Sequence, residues 1–304
     1  MTSLHQTYNM ILLHSMITLS ESRQQFIGHL KGKGRSSATI LAYGKDVEQL
    51  VSFLEKEGVV NPADVTLDQL NNFMAKLAKE NYTAKSISRK TNSTKTFFKF
   101  MKNSSLIEGD PAQGLEHPSF ETKPPRILTK LEYRALRDAA RGDIRMSAII
   151  ELLLQSGIRI GELSKVRVED VKLEGDNPNV YVQPEEGSVE RTIPLTKPAS
   201  SAIAKYLEIR PKTQSKSLFI TKTGRPLLVR NIRTAIDRYF RLAGIKGAKV
   251  NDLRHTWVSS QLASGISLVM ISKLAGHKRV STTEKYLQYT PSRTSEDKIK
   301  LEEL

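Results

Sequence analysis

Four prolines fall between Pro111 and Pro125, at positions 111, 118, 124 and 125, with Gly114 among them. Proline lacks the amide hydrogen a helix interior needs, and its ring clashes with the preceding turn. No helix can cross this stretch, so the chain cannot fold as one uninterrupted bundle. The stretch 116–128 reads as a linker between a front region, 18–115, and a rear region, 129–290. A length of 304 residues suits two domains of ordinary size. Residues 1–17 show no clear period and read as an N-terminal arm.

The front region is helical throughout. Thr18-Leu19-Ser20-Glu21 is a capping-box pattern and predicts a helix to about Leu30. A basic loop, Lys31-Gly32-Lys33-Gly34-Arg35-Ser36-Ser37, follows. A second helix is expected from Ser37 to Glu57, with Leu41, Val47, Leu50, Val51 and Leu54 inward and Gly58 as its stop. Thr66-Leu67-Asp68-Gln69 opens a third, to about Lys79, and Thr83 a fourth, to about Lys102. The fourth carries charge of one sign: six basic residues and no acidic one lie between Tyr82 and Asn103. Lys85, Arg89, Lys95, Lys99 and Lys102 fall within one arc of roughly 140°, opposite Ile87, Phe97, Phe98 and Met101. One face suits a core, and the other suits phosphates.

The rear region mixes periods. Thr129-Lys130-Leu131-Glu132 is again a capping box, and an apolar helix from Met146 to Leu154 is ended by Gly157. The β-rich segments are Val166–Leu173, Val180–Gln183 and Glu190–Leu195, the last two flanking Glu185-Glu186-Gly187-Ser188 as a hairpin. Helices resume near Lys197, Leu228, Asp252 and Ser267. A short one is expected at the capping pattern Ser281-Thr282-Thr283-Glu284. Residues 291–304 form a polar tail, with a helix from Ser295. The expected fold is mostly α with a small antiparallel β-sheet, in two domains: one all-α, the other α+β.

Lys and Arg number 47 against 32 Asp and Glu, a formal charge of +15. That excess points to a polyanion, with nucleic acid the first candidate and a membrane surface the second. Cysteine is absent, which excludes disulfides, thiolate zinc sites and cysteine nucleophiles. The six histidines include no pair four apart, and no glycine-rich phosphate loop occurs, so neither a metal site nor ATP-driven chemistry is expected. No segment approaches the roughly 18 apolar residues of a spanning helix. Met10–Leu13 is too short, and Met1–Asn9 has no basic residue to make a secretory signal. A cytoplasmic protein is expected.

Three clusters join arginine or histidine to a helix stop: Ser156-Gly157-Ile158-Arg159-Ile160-Gly161-Glu162-Leu163, Asn251-Asp252-Leu253-Arg254-His255-Thr256-Trp257, and Leu274-Ala275-Gly276-His277 with Tyr286 beyond it. An arginine among apolar residues must pair or bind an anion. Two guanidiniums converging on one phosphate match both non-bridging oxygens, and a tyrosine nearby can be a nucleophile. Taken singly, Arg159 can instead pair with Glu162 across one turn, His277 can simply follow a glycine cap, and Tyr289 is as plausible an aromatic as Tyr286.

In order and spacing, these segments resemble the tyrosine recombinases of the lambda-integrase and Xer group. Ser156–Leu163 resembles the family's first arginine motif, and Leu253-Arg254-His255-Thr256 its second. Leu274–His277 with Ser281–Tyr286 resembles the histidine and nucleophile block. Gly109-Asp110-Pro111-Ala112 and the helix before it resemble the Xer-type core-binding domain. The resemblance covers nearly the whole chain from about residue 18. It implies an all-α core-binding domain over 18–115 and a catalytic domain over 129–290, closing as a C-shaped clamp on duplex DNA.

By that resemblance Arg159 and Arg254 clamp the scissile phosphate, and His277 bonds it or assists proton transfer. Tyr286 attacks phosphorus to give a 3′-phosphotyrosyl link and a free 5′-hydroxyl, and Glu162 orients the first arginine. No cofactor or metal is required. The partners implied are duplex DNA with inverted half-sites and a homo-tetramer on two such sites, with residues 291–304 exchanged between protomers. The role implied is DNA integration, or dimer or cointegrate resolution (transposon resolution included), for a mobile element or replicon. Two positions depart from the family pattern. Asn251 stands where His or Lys is usual, and Glu186 stands where the hairpin lysine donates a proton to the leaving 5′-oxygen, a contribution of ~10²–10⁴ in rate. Alternatives are a DNA-binding member impaired in catalysis and a type IB topoisomerase-like enzyme.

Overall fold

Three threonines set the starts of three helices. Thr18 Oγ1 accepts the Glu21 amide at 3.1 Å while Glu21 Oε2 accepts the Thr18 amide at 2.8 Å. Thr66 with Gln69 and Thr129 with Glu132 repeat this reciprocal arrangement, which satisfies two otherwise unpaired donors at each start. The computed structural model describes residues 17–121, 124–184 and 189–290. Residues 1–16, 122–123, 185–188 and 291–304 lie outside the described residues, and with them the expected N-terminal arm, Glu186 and the expected tail. Two compact units divide the chain, within 1–122 and 123–304.

The first unit holds α1 (Leu19–Gly32), α2 (Ser37–Lys56), α3 (Leu67–Lys79) and α4 (Ala84–Asn103). Its core joins Phe26 and Leu30 of α1, Val47, Leu50 and Leu54 of α2, Phe73 and Leu77 of α3, and Phe97, Phe98 and Met101 of α4. Phe26 and Phe97 meet edge to face at 5.3 Å between centroids, a geometry that aligns ring edge with ring face. Leu41, expected inward, is 62% exposed. It lies about 120° around α2 from Val47, off the stripe that Gly44, Val47, Val51 and Leu54 share.

The basic face of α4 is smaller than its sequence suggests. Ile87, Phe97, Phe98 and Met101 are buried as expected, and Lys85, Lys99 and Lys102 are exposed. Arg89, however, is paired through Nη1 to Asp46 Oδ2 of α2. The same buried carboxylate takes Lys90 Nζ at 3.0 Å and Ser93 Oγ at 3.2 Å. Asp46 thus supplies the countercharge that α4 itself lacks, because a carboxylate buried there must be paired. Lys95 Nζ donates to Gln113 O at 3.3 Å.

The second unit holds α5 (Lys130–Ala140), α6 (Ile144–Ser156), α7 (Ile160–Leu163), β1 (Val171–Lys172), β2 (Asn179–Val182), β3 (Arg191–Pro194), α8 (Lys197–Ile209), α9 (Val229–Leu242), α10 (Val250–Ala263), α11 (Leu268–Ala275) and α12 (Ser281–Glu284). The sheet is antiparallel in the order β1-β2-β3, with Val180 opposite both Val171 and Ile193. Helix α6 is the hub: Met146, Ile149, Ile150, Leu152 and Leu153 are buried, and α5, α8 and α10 pack on it.

Two local expectations fail here. Val166–Leu173 is not one strand. Asp170 Oδ2 accepts the Arg167 amide at 2.8 Å and turns Val168–Asp170 into a 3-10 helix, leaving two residues to pair with β2. Ser281 does not cap α12. Val280 precedes it already in helical conformation (φ −59°, ψ −35°), so the chain has no extended residue from which a hydroxyl could reach back. Among the described residues, no helix is long and apolar enough to cross a membrane.

Gly157 ends α6 in the left-handed region, at φ +61°. A Cβ there would stand 2.3 Å from Trp257 Cε3 of α10. Gly157→Ala is expected to lower unfolding stability by at least ~1–2 kcal/mol from the backbone alone, with displacement of the indole adding to that. Urea unfolding of the variant beside its parent measures it.

Candidate active site

The last carbonyls of a helix have no partner within it and carry the negative end of its dipole. At the end of α11 they are met by three arginines. Arg191 Nε of β3 donates to Leu274 O at 2.7 Å. Arg254 Nη2 of α10 donates to Ala275 O at 2.6 Å, and Arg159 Nη1 reaches the same oxygen at 3.4 Å. Arg159 Nη2 takes Gly276 O at 2.7 Å. Arg254 Nη1 also bonds Gly157 O, so the two glycine-ended helices present their carbonyls to one guanidinium. Gly276 sits at φ +66°, and a Cβ on it would stand 2.8 Å from Arg191 Nη1.

Glu162 of α7 is the countercharge. Its Oε1 takes Arg159 Nη1 and Arg191 Nη1, each at 3.0 Å, and its Oε2 takes Arg191 Nη2 at 2.7 Å and the Arg159 amide at 2.8 Å. Burial pushes this carboxyl up, but the bonds from Arg191 and the Arg159 amide, with both guanidinium charges, hold it below the ordinary carboxylate value. One carboxylate against three guanidiniums leaves positive charge in excess, which fits an anion. Burial, with Arg159 beside it, lowers Arg254 to about 9, so it stays charged at neutral pH.

His277 follows the Gly276 turn, and its amide donates to Ser272 O at 2.9 Å. Its Nδ1 lies 2.7 Å from Thr283 Oγ1 of α12. Burial and the charges of Arg254, Arg159 and Arg191 pull it down to about 4, so the ring is neutral at neutral pH. Tyr286, just past α12, is buried at 7% exposure. Its ring stacks on His277 with centroids 6.4 Å apart and planes 11° from parallel, and its Oη lies 2.5 Å from His255 Nδ1. Burial raises the phenol above its usual value, opposed by Arg254 and Arg159.

The structure therefore brings Arg159, Glu162, Arg254, His277 and Tyr286 into one cluster. Tyr289 stands apart, half-buried on the 3-10 turn Leu287–Tyr289. Asn251 is exposed in the first turn of α10, and Glu186 lies outside the described residues. Two members were not singled out by sequence. Arg191 was legible: alternation along β3 puts it on the face of buried Ile193. His255 was quoted within its motif, but no pattern ties it to a tyrosine 31 residues away. Among the described residues, no cluster of His, Asp and Glu is arranged to hold a metal ion.

Residues 126–293 match the Phage integrase family, and residues 24–104 match the Phage integrase N-terminal SAM-like domain. The chain is 30% identical over 275 residues to the tyrosine recombinase XerC of Thermodesulfovibrio yellowstonii, covering 86% of this chain and 89% of that protein. It is 28% identical over 281 residues to XerC of Roseiflexus castenholzii, covering 88% of each. The crystal structure of XerA recombinase is similar, with a TM-score of 0.51 at 27% identity over 90% of this chain and 95% of that one. A lambda integrase dimer bound to a COC′ core site shares the fold, with a TM-score of 0.72 at 19% identity over 94% and 81% of the two chains. A match that runs through both units and spans every element of the arginine cluster places the chain in the phage integrase family, among the tyrosine recombinases of the lambda-integrase and Xer type.

Proposed function

We propose that this protein is a site-specific recombinase that cuts and rejoins duplex DNA through a 3′-phosphotyrosyl intermediate on Tyr286. The observation that carries the reading is the convergence of Arg159 and Arg254 on one carbonyl oxygen, Ala275 O, beside a buried phenol. Each guanidinium has five N–H donors, so donors remain for the non-bridging oxygens of a phosphodiester. Charge that develops on those oxygens during attack is then met by fixed, buried donors. Tyr286 Oη bonds to phosphorus as the P–O5′ bond breaks. The 5′-hydroxyl of a second strand later attacks the phosphotyrosine and releases the phenol. The ester conserves the bond energy, so no nucleotide is hydrolysed. Neutral His277 can bond a phosphate oxygen, and a bound phosphate's negative charge raises its affinity for a proton.

The working assembly in this reading is four protomers on two DNA sites with inverted half-sites, the tail 291–304 passing between protomers. Such an enzyme serves integration, or dimer or cointegrate resolution for a mobile element or replicon, in the cytoplasm where that DNA lies. Asn251 and Glu186 favour a second reading, a DNA-binding member without cleavage activity. Nicked duplexes selected from a random library by binding, then denatured with the wild-type protein, separate the two. The expected product is a covalent adduct whose peptide carries the 3′-phosphate on Tyr286. Binding without any adduct would leave only the second reading.

The exposed lysines of α4 are assigned to the DNA backbone. Lys99→Ala with Lys102→Ala is expected to weaken binding and flatten the dependence of log K on log salt by up to ~2 units of slope, about 0.9 for each lost phosphate contact. An unchanged slope would remove this face from the interface.

A further inference from the structure

An attacking phenol must lose its proton, and every group of the clamp described so far is committed elsewhere. Arginine has none to accept with, and Glu162 is saturated by Arg159 and Arg191. Asn251 carries an amide, which does not accept a proton, and is exposed. His277 has Nδ1 on Thr283, which leaves Nε2 for the phosphate oxygen assigned to it above. Tyr286 Oη instead meets His255 Nδ1 at 2.5 Å, with the two rings 5.7 Å apart and tilted by 39°. His255 directly follows Arg254 on α10, so one helix carries both a phosphate donor and this imidazole.

We propose that His255 is the proton acceptor for the Tyr286 nucleophile, a catalytic residue of this site. The proposal rests on the reading of Tyr286 as nucleophile. In the tautomer with its hydrogen on Nε2, His255 Nδ1 accepts the bond from Tyr286 Oη. During cleavage the Oη proton passes to Nδ1, Oη bonds to phosphorus and the P–O5′ bond breaks. The 5′-oxygen takes its proton from a separate donor. During rejoining the incoming 5′-hydroxyl loses its proton to that group, and Tyr286 leaves as phenolate and recovers its proton from His255.

The groups facing His255 are Asp252 and Arg254 on its own helix and Tyr286 and His277 from the segment beyond α11. Burial, then Arg254, lowers its proton affinity against the opposing pull of Asp252. The base form is therefore present at neutral pH and is lost as pH falls below the ordinary imidazole range.

The test is single-turnover cleavage of nicked target DNA by the full chain, comparing wild type with His255→Asn and His255→Gln. Both variants should bind DNA as the parent does and cleave about 10²–10⁴-fold more slowly, the range for a lost general base. The deficit should persist on DNA whose 5′-bridging oxygen is replaced by sulfur. Sulfur leaves without protonation, but the phenol must still be deprotonated. The variants should also lose the acidic limb that His255 imposes on the wild-type pH profile. Parental cleavage rates in either folded, DNA-binding variant would overturn the proposal. Recovery on the sulfur substrate would overturn it too, since the proton would then belong to the leaving group. Absence of adduct from wild type itself would be a different failure, that of the recombinase reading.

Discussion

Tyr286→Phe is expected to form no covalent complex with DNA while binding it with parental affinity. The substitution removes one oxygen, the atom assigned to attack phosphorus, and keeps the ring. That ring holds its place by packing, buried and stacked on His277, so the phenylalanine should occupy the same volume. The structural cost is the bond to His255, about 1 kcal/mol for a typical hydrogen bond, too little to unfold a domain with a core of this size. Tyr289→Phe should form adduct as wild type does, because Tyr289 lies outside the arginine cluster. A denaturing gel on nicked substrate reads both results. Adduct from Tyr286→Phe and none from Tyr289→Phe would reverse the assignment.

Arg254→Lys should reduce the rate of cleavage by ~10²–10³, the cost of removing one preformed donor to a developing oxyanion, with a much smaller change in DNA affinity. Lysine keeps the charge but not the planar fork. It cannot bond Gly157 O, Ala275 O and a phosphate in the geometry that Arg254 allows. Arg254→Ala should cost as much in cleavage and also destabilise the fold. It leaves Gly157 O at the end of α6 without its donor and Ala275 O at the end of α11 with only the long bond from Arg159, at about 1–3 kcal/mol for a buried group left unsatisfied. Comparing the two variants by unfolding and by cleavage separates the clamp's chemical role from its structural one. Equal cleavage by Arg254→Lys and wild type would remove the bidentate contact from the mechanism.

Much of this was legible in single elements. The capping boxes at Thr18, Thr66 and Thr129, the stop at Gly157 and the apolar arc of α4 are properties of neighbouring residues along one helix, and their geometry follows from the chain itself. Arg159, Arg254 and His277 likewise lie beside helix ends that the sequence announces, whereas Tyr286 was distinguished from Tyr289 only by the family resemblance. Patterns of this kind failed where a competing local bond won, as at Asp170, which turns the chain after Arg167 and cuts an expected strand short.

The amino-acid sequence by itself determined the helical front region, the segments that pair as β2 and β3, and the order of the arginine, histidine and tyrosine motifs. Only the tertiary structure decided which charges meet. Asp46 reaches across from α2 to neutralise Arg89 on α4, Arg191 comes from β3 to share Glu162 with Arg159, and His255 meets the Tyr286 hydroxyl. Periodicity records which face of an element a residue occupies, whereas an ion pair or proton path depends on which other element packs against that face. Burial then makes the pairing obligatory, because a charge removed from water must find its partner or its ligand.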